Sequence, residues 1–429
     1  MADPTARGTL GFEFEFFPTA LKQLTADQVQ RAGLSSTISG HETIEQLKER
    51  YPGCLVVAAG TPYGKEVYIG QELVEYLRQQ GFHANDMDQQ MIPRLPQDPE
   101  LRQQRTPFVE NVINEQYHRW SITGDITVSH QGTFNPQGPN QDPYLISEMK
   151  NSSGVEVISP AITDTPEAYQ EVVNVLNKVK NLYFLHINET CGLHVHVAFG
   201  KHQITMAPLR KIASLLFTID PFLVTLHPEY RAEDDISCPS IRKLSNVARG
   251  WRFADAVRDL NRNRVGEDDE FTPLYWQSVH KAGGSLAYVP IPEAVEEIKA
   301  CKKPEEIAWL LQCELRANYN FRAFLDMLNP TIEFREHAMT GDAARVVAWG
   351  RFCVALVRYA AFDMSDDDLE EIVMTCNDAE TEPENSRSST LWELLDFMNL
   401  QDNAFDLRVP RPRPRNQSHA SYHAQPPGR

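Results

Sequence analysis

The chain has 429 residues, 41% hydrophobic and 23% charged, which is enough apolar material for one large core or for two to three ordinary ones. Its formal net charge is −18, spread along the chain, and this excludes a nucleic-acid partner held by a protein-wide basic stripe. No apolar run nears the ~20 residues needed to cross a bilayer, so no membrane partner is expected. Residues 1–10 lack the apolar stretch of a secretory leader, and the seven cysteines are scattered with no Cys-x-x-Cys pair. The expectation is a cytoplasmic protein with reduced thiols.

Residues 9–17, Thr-Leu-Gly-Phe-Glu-Phe-Glu-Phe-Phe, alternate aromatic and acidic, and Pro18 stops the run. Period two means a strand with one apolar and one carboxylate face. A long variable excursion covers 18–115, inside which 66–80 reads as a helix capped by Gly81. Strands are predicted over 119–128 and 154–158, the second ended by Ser159-Pro160. An amphipathic helix follows over 165–182, with Tyr169, Val172, Val173, Leu176 and Val179 on one face. Next come a strand over 192–199, an apolar helix over 208–226 and a less regular insertion over 228–290. A helix over 292–311 leads to a strand at 331–335. Asp342 caps a long apolar helix ending near Ala361, and a last helix spans 390–398. The Arg/Pro-rich stretch 404–429 cannot bury a core and is expected to be a disordered tail. Strands separated by single helices and long insertions give an α+β fold, with a largely antiparallel sheet and a single catalytic unit over 1–403.

Side chains two apart on a strand share a face. Glu13 and Glu15 therefore lie opposite Phe12, Phe14 and Phe16, and His194 and His196 lie opposite Leu193, Val195 and Val197. Glu333 and Arg335 lie opposite Ile332 and Phe334, and Glu156 opposite Val155 and Val157. Any one such strand is ordinary, because alternation is what half-buried strands do. Together, the wet faces hold carboxylates, imidazoles and one guanidinium where Thr, Ser and Lys are usual. Carboxylates gathered on one sheet need counter-charge, and hard oxygen ligands suit Mg²⁺ or Mn²⁺. Mg²⁺ commonly completes its shell with water and nucleotide phosphate, and Arg335 beside it would steady a transferring phosphoryl group.

Gly-Phe-Glu-Phe-Glu, Gly-Val-Glu-Val-Ile-Ser-Pro, Cys-Gly-Leu-His-Val-His-Val and Thr-Ile-Glu-Phe-Arg resemble, in order, the motifs of the amidoligase family, whose fold is similar to those of glutamine synthetase and glutamate–cysteine ligase. The resemblance implies a curved sheet with helices on one face and an ATP-dependent, amide-forming ligase working through an acyl-phosphate. It implies a first metal on Glu13, His194 and Glu333, and a second on Glu15, Glu148 and Glu156. His196, Arg335 and Asn320 then match nucleotide-side positions, with Arg335, Glu333 and His196 carrying the chemistry. Trp120 and Asp125 resemble a Trp…Asp-Gly-Ser element near the substrate, although Ile126-Thr127 stands where that element has Gly-Ser. The implied partners are a small-molecule or peptide carboxylate and an amine.

Two other readings remain: a metal-dependent hydrolase using the His/Glu cluster, and a non-catalytic nucleotide-binding module. Gly60-Thr-Pro-Tyr-Gly-Lys65 reads as a turn, Cys191 as a small buried residue, and Glu336 and His337 as solvated residues at a strand end.

Overall fold

The alternation that begins the chain becomes a central strand, β1 (Thr9–Pro18), whose Phe12, Phe14 and Phe16 are almost completely buried. The computed structural model describes residues 8–18, 20–22, 43, 45–46, 49, 55–57, 66–86, 118–125, 128, 154–182, 185–199, 204–231, 238–263, 289–313, 317–326, 330–381 and 386–407. Further strands within these residues are β2 (Ala20–Lys22), β3 (Leu55–Val57), β4 (Ala84–Asp86), β5 (Trp120–Asp125), β6 (Gly154–Ile158), β7 (Ile162–Thr163), β8 (Leu185–His186), β9 (Gly192–Ala198), β10 (Tyr319–Asn320) and β11 (Ile332–Ala338). The main sheet runs β10-β11-β9-β1-β6-β5-β4, with β7 and β8 pairing the two ends of β1. Every pairing in it is antiparallel except β4 with β5, and β2 and β3 form a separate parallel pair. The expected α+β class with a largely antiparallel sheet therefore holds.

The apolar face of the sheet is covered by the helices Glu66–Gln79, Pro166–Val179 and Ala343–Arg358. Contact with the last is close: a Cβ on Gly350 would lie 2.5 Å from the Phe12 ring, so the helix rests on β1 with no side chain between them. Stacked rings of Phe14 and Trp120 extend the same layer. Each large side chain buried here contributes roughly 1.5–3 kcal/mol, which is what fixes the register and commits the carboxylates to the other face. Behind this layer, the apolar helix Met206–Leu223 packs on Ile291–Ala300, Asp366–Ala379 and Arg387–Phe397. Among the described residues no helix is long and apolar enough to cross a membrane.

Helix starts follow the capping residues. Thr165 accepts from the Ala168 amide, and Asp342 from those of Ala344 and Arg345. Several expectations change. The helix expected over 292–311 is two, Ile291–Ala300 and Pro304–Leu310, because Cys301 is extended and Pro304 starts a new helix with no amide proton to lose. The region 228–290 contains the helices Ile241–Leu244 and Phe253–Asn263. Asp366–Ala379, capped by Ser365, forms a helix that the pattern reading passed over. The chain remains folded past the expected boundary at 403, through Gln401–Ala404 and Phe405–Leu407, with Leu407 buried. Residues 60–65 and 408–429 lie outside the described residues.

Candidate active site

Register gathers the polar side chains. Glu13 stands opposite His194 on β9, and Glu15 opposite Glu156 on β6. Glu333 lies between His196 on one side and Asn320 on the other. Thr123 faces Glu156, so Asp125, two residues along β5, shares that face. Five adjacent strands thus put their ionisable groups on one patch.

The distances are short. Nδ1 of His194 is 3.0 Å from Glu13 Oε2, and its Nε2 is 3.3 Å from Glu15 Oε1. His196 Nε2 is 2.8 Å from Glu13 Oε1, and its Nδ1 is 3.1 Å from Thr331 Oγ1. Glu333 accepts from Arg335 and, at 2.8 Å, from the side-chain amide of Asn320. The His194 ring is 3.8 Å from Glu333 and 3.9 Å from Glu156. The glycine of the Cys-Gly-Leu-His motif is needed for this geometry. Its amide donates to Glu15 Oε2, and a Cβ on Gly192 would meet His194 Nε2 at 2.7 Å.

Burial divides the acids into two sets. It works to raise Glu13, but the charge on His196 and the hydrogen bonds of both imidazoles hold that carboxyl well below the usual range. Glu333 is lowered too, its burial outweighed by Arg335 and His196. His196 is pushed up to about 9, because Glu13 and Glu333 outweigh the burial of its charge. Glu15 and Glu156 move the other way. Burial raises both; His194 partly offsets the effect at Glu15, and at Glu156 the charges of Glu13 and Glu15 add to it. One half of the patch is thus internally neutralised, and the other is a set of crowded carboxyls short of positive charge.

Of the residues expected from the sequence, Glu13, Glu15, Glu156, His194, His196, Asn320, Glu333 and Arg335 come together here, while Glu148 lies outside the described residues. Asp125 reaches the cluster, within 4.8 Å of oxygens of Glu15 and Glu156. Trp120 does not: its ring is buried against Phe14, and its Nε1 donates to Glu171. Strand parity explains the split, because Trp120 and Asp125 are an odd number of residues apart and face opposite ways. Glu336 and His337 are corrected as well. Both are buried, at 1% and 2% exposure, on the apolar side of the sheet. Glu336 shares the parity of Ile332 and Phe334, and a register shift between Phe334 and His337 turns His337 inward as well.

The donor set fits hard divalent cations. Three groups each bring ligand atoms within 4.8 Å of one another: Glu13, Glu156 and His194; Glu13, His196 and Glu333; and Glu15, Asp125 and Glu156. Among the described residues, buried Glu15 Oε1 accepts no hydrogen bond, as befits an oxygen that a cation could take.

Neither the curated proteins nor the solved structures contain a match to this chain. A family model described as "Putative amidoligase enzyme" does match, over residues 7–243, which is more than half of the chain and carries the strands β1, β6 and β9. Glu333 and Arg335 lie beyond the matched span, and β11 pairs with β9 to put them on the same face as the matched motifs. The chain therefore belongs to the amidoligase family of enzymes.

Proposed function

We propose that the patch is the nucleotide and metal site of an ATP-dependent carboxylate–amine ligase. The observation that carries this reading is the convergence of Glu13, Glu15, Glu156, His194, His196, Glu333 and Arg335, all from adjacent strands, on one face. Glu13, His194 and Glu333 would hold one Mg²⁺ or Mn²⁺, and Glu15, Glu156 and Glu148 a second, with Asp125 in reach of it. Such cations, when bound, screen the triphosphate charge and align its γ-phosphoryl group.

The side chains have separable tasks. Asn320 and Arg335 both bond Glu333 and fix its orientation. The Nε of Arg335 is buried and has no partner among the described residues, so it can donate to a transferring phosphoryl oxygen. His196, raised toward its charged form, adds a second positive group beside the phosphates. In the reaction, an oxygen of the substrate carboxylate attacks the γ-phosphorus and ADP leaves, giving an acyl-phosphate. An amine then attacks the acyl carbon, phosphate leaves, and the nitrogen loses a proton to form the amide. The substrates are a small-molecule or peptide carboxylate and an amine.

Calorimetry of ATP with Mg²⁺ on the wild type, Glu13→Ala and Glu333→Ala tests the site. Binding by the wild type and its loss in both variants is the expected result. A panel of acid–amine pairs scored for joint release of ADP and phosphate then tests the chemistry. Absence of ATP binding with any divalent metal would sink the ligase reading and favour a metal-dependent hydrolase.

A further inference from the structure

Behind the cluster, on the apolar side of the sheet, lies a second set of buried polar groups that the proposed reaction does not use. It is built around an irregularity in β11. Phe334 pairs with Val195 and His337 with Leu193, so Arg335 and Glu336 together occupy the place opposite His194. This is a β-bulge, which re-aims the side chains on either side of it. Arg335 goes to the polar face and Glu336 to the core.

The bulge is held from β10 and the residue before it. The amide of Arg335 donates to the carbonyl of Asn318 at 2.8 Å. The Tyr319 hydroxyl donates to Glu336 Oε1, and Asn320 donates to Glu333. Three consecutive residues thus grip three positions of β11, on both faces. Asn318 is itself fixed. Its side-chain amide donates to Asp220 Oδ1 at 2.6 Å, and its Oδ1 accepts from the amides of Ile241 and Tyr319, each at 3.0 Å. Asp220 Oδ2 accepts from Ser240 and from the Arg242 amide.

Stability does not account for this arrangement. Glu336 is 1% exposed, its Oε2 has no hydrogen-bond partner among the described residues, and His227 Nε2 is 3.1 Å from Oε1. Burying a carboxyl so poorly satisfied costs free energy that an apolar side chain of similar size would not. What the arrangement supplies is a fixed aim for the residue next to it. We propose that Tyr319 and Glu336, braced by Asn318 and Asp220, are positioning residues that set the β11 bulge and so hold the Arg335 guanidinium over the carboxylate cluster. The phosphate role of Arg335 rests on the ligase reading; its positioning does not.

The test uses the full chain with ¹⁵N-labelled arginine, and the Arg335 Nε–Hε resonance assigned through Arg335→Lys. Tyr319→Phe and Glu336→Leu are both expected to shift or broaden that resonance, Glu336→Leu while melting at or above the wild-type temperature and Tyr319→Phe while melting below it, because it strips a hydrogen bond from the buried carboxyl. Glu336→Gln, which can still accept from the Tyr319 hydroxyl, should leave it in place. An unmoved resonance in both Tyr319→Phe and Glu336→Leu overturns the proposal. So does a resonance that moves only in proportion to lost melting temperature, which is what a merely structural role would give. If Tyr319→Phe fails to fold, Glu336→Leu and Glu336→Gln decide alone. A second arm measures Mg²⁺·ATP affinity. Tyr319→Phe should weaken it about tenfold in the wild-type background and not at all in an Arg335→Ala background; equal losses in both overturn the proposal. A wild type that binds no ATP defeats the ligase reading and leaves the positioning claim to the arginine resonance.

Discussion

Glu15 on β1 and Glu156 on β6 are direct cross-strand partners on the polar face of the sheet, two carboxyls in the position where opposite charges would stabilise a pair. Both are raised above the ordinary carboxyl range, chiefly by burial. Glu156→Gln removes a carboxyl whose ionised form is disfavoured here, so the metal-free protein should gain up to about 1 kcal/mol at pH values where the wild type carries both charges. A cation bound only by the folded state raises the melting temperature by mass action, and that rise should vanish in the variant. Thermal melts of both proteins with and without Mn²⁺ check this. An undiminished Mn²⁺ effect in Glu156→Gln would remove Glu156 from the ligand set.

Arg335 and Glu333 share the polar face of β11, and Asn320 completes the hold on Glu333. A lysine at 335 keeps the charge but loses the planar fork that can bond Glu333 and a phosphoryl oxygen at once. Arg335→Lys should therefore weaken Mg²⁺·ATP binding by about 1.4 kcal/mol, or tenfold, with little change in stability. Calorimetry beside a thermal melt separates the two effects; equal affinity would mean that charge alone suffices.

Gly192 is a test of close approach. A methyl group there meets His194 Nε2 at 2.7 Å and Glu15 Oε2 at 3.0 Å, and both are deeply buried. Gly192→Ala should cost about 1–3 kcal/mol by overpacking and should abolish the Mn²⁺-induced rise in melting temperature. If the rise survives the substitution, His194 and Glu15 can move without loss of the site.

These positions show what the sequence makes legible. Period-two alternation exposed the faces of β1, β6, β9 and β11, because a strand that buries Phe12, Phe14 and Phe16 must turn Glu13 and Glu15 the other way. Asp125 was harder to place. Its membership of the cluster depends on the pairing of β5 with β6, which a pattern within one strand does not encode. The bulge at Arg335–Glu336 was invisible for a related reason: ending the strand at Arg335 left Glu336 and His337 in solvent, whereas the strand runs on with Glu336 on the face of Phe334, and one extra residue turns His337 into the core too. Helix ends followed local chemistry at Thr165 and Asp342, but the break before Pro304 interrupts a pattern whose apolar spacing continues across it.

The buried Glu336 also makes stability depend on pH in a way that isolates it. Burial pushes its carboxyl up to about 8 from the ordinary 4.5, partly offset by the hydrogen bond from Tyr319. Below 4.5 the group is protonated in both the folded and the unfolded chain and makes no difference. As the pH rises past that value, the unfolded chain gives up the proton that the folded chain retains, so folding is progressively disfavoured. The loss levels off near 8, where the folded protein ionises too. Glu336→Gln has no proton to lose. Its stability relative to wild type should climb with pH across that window, with a slope approaching ~1.4 kcal/mol per pH unit for one proton. Asp220, raised to about 7 by burial and by the charge of Glu336, titrates in the same range and remains in the variant. Removing the Glu336 charge lowers one cause of its shift and adds to the climb. Denaturant unfolding of both proteins at pH values near ~5, ~6.5 and ~8 measures the difference. Parallel stability curves would mean that Glu336 ionises normally, through solvent reaching its Oε2.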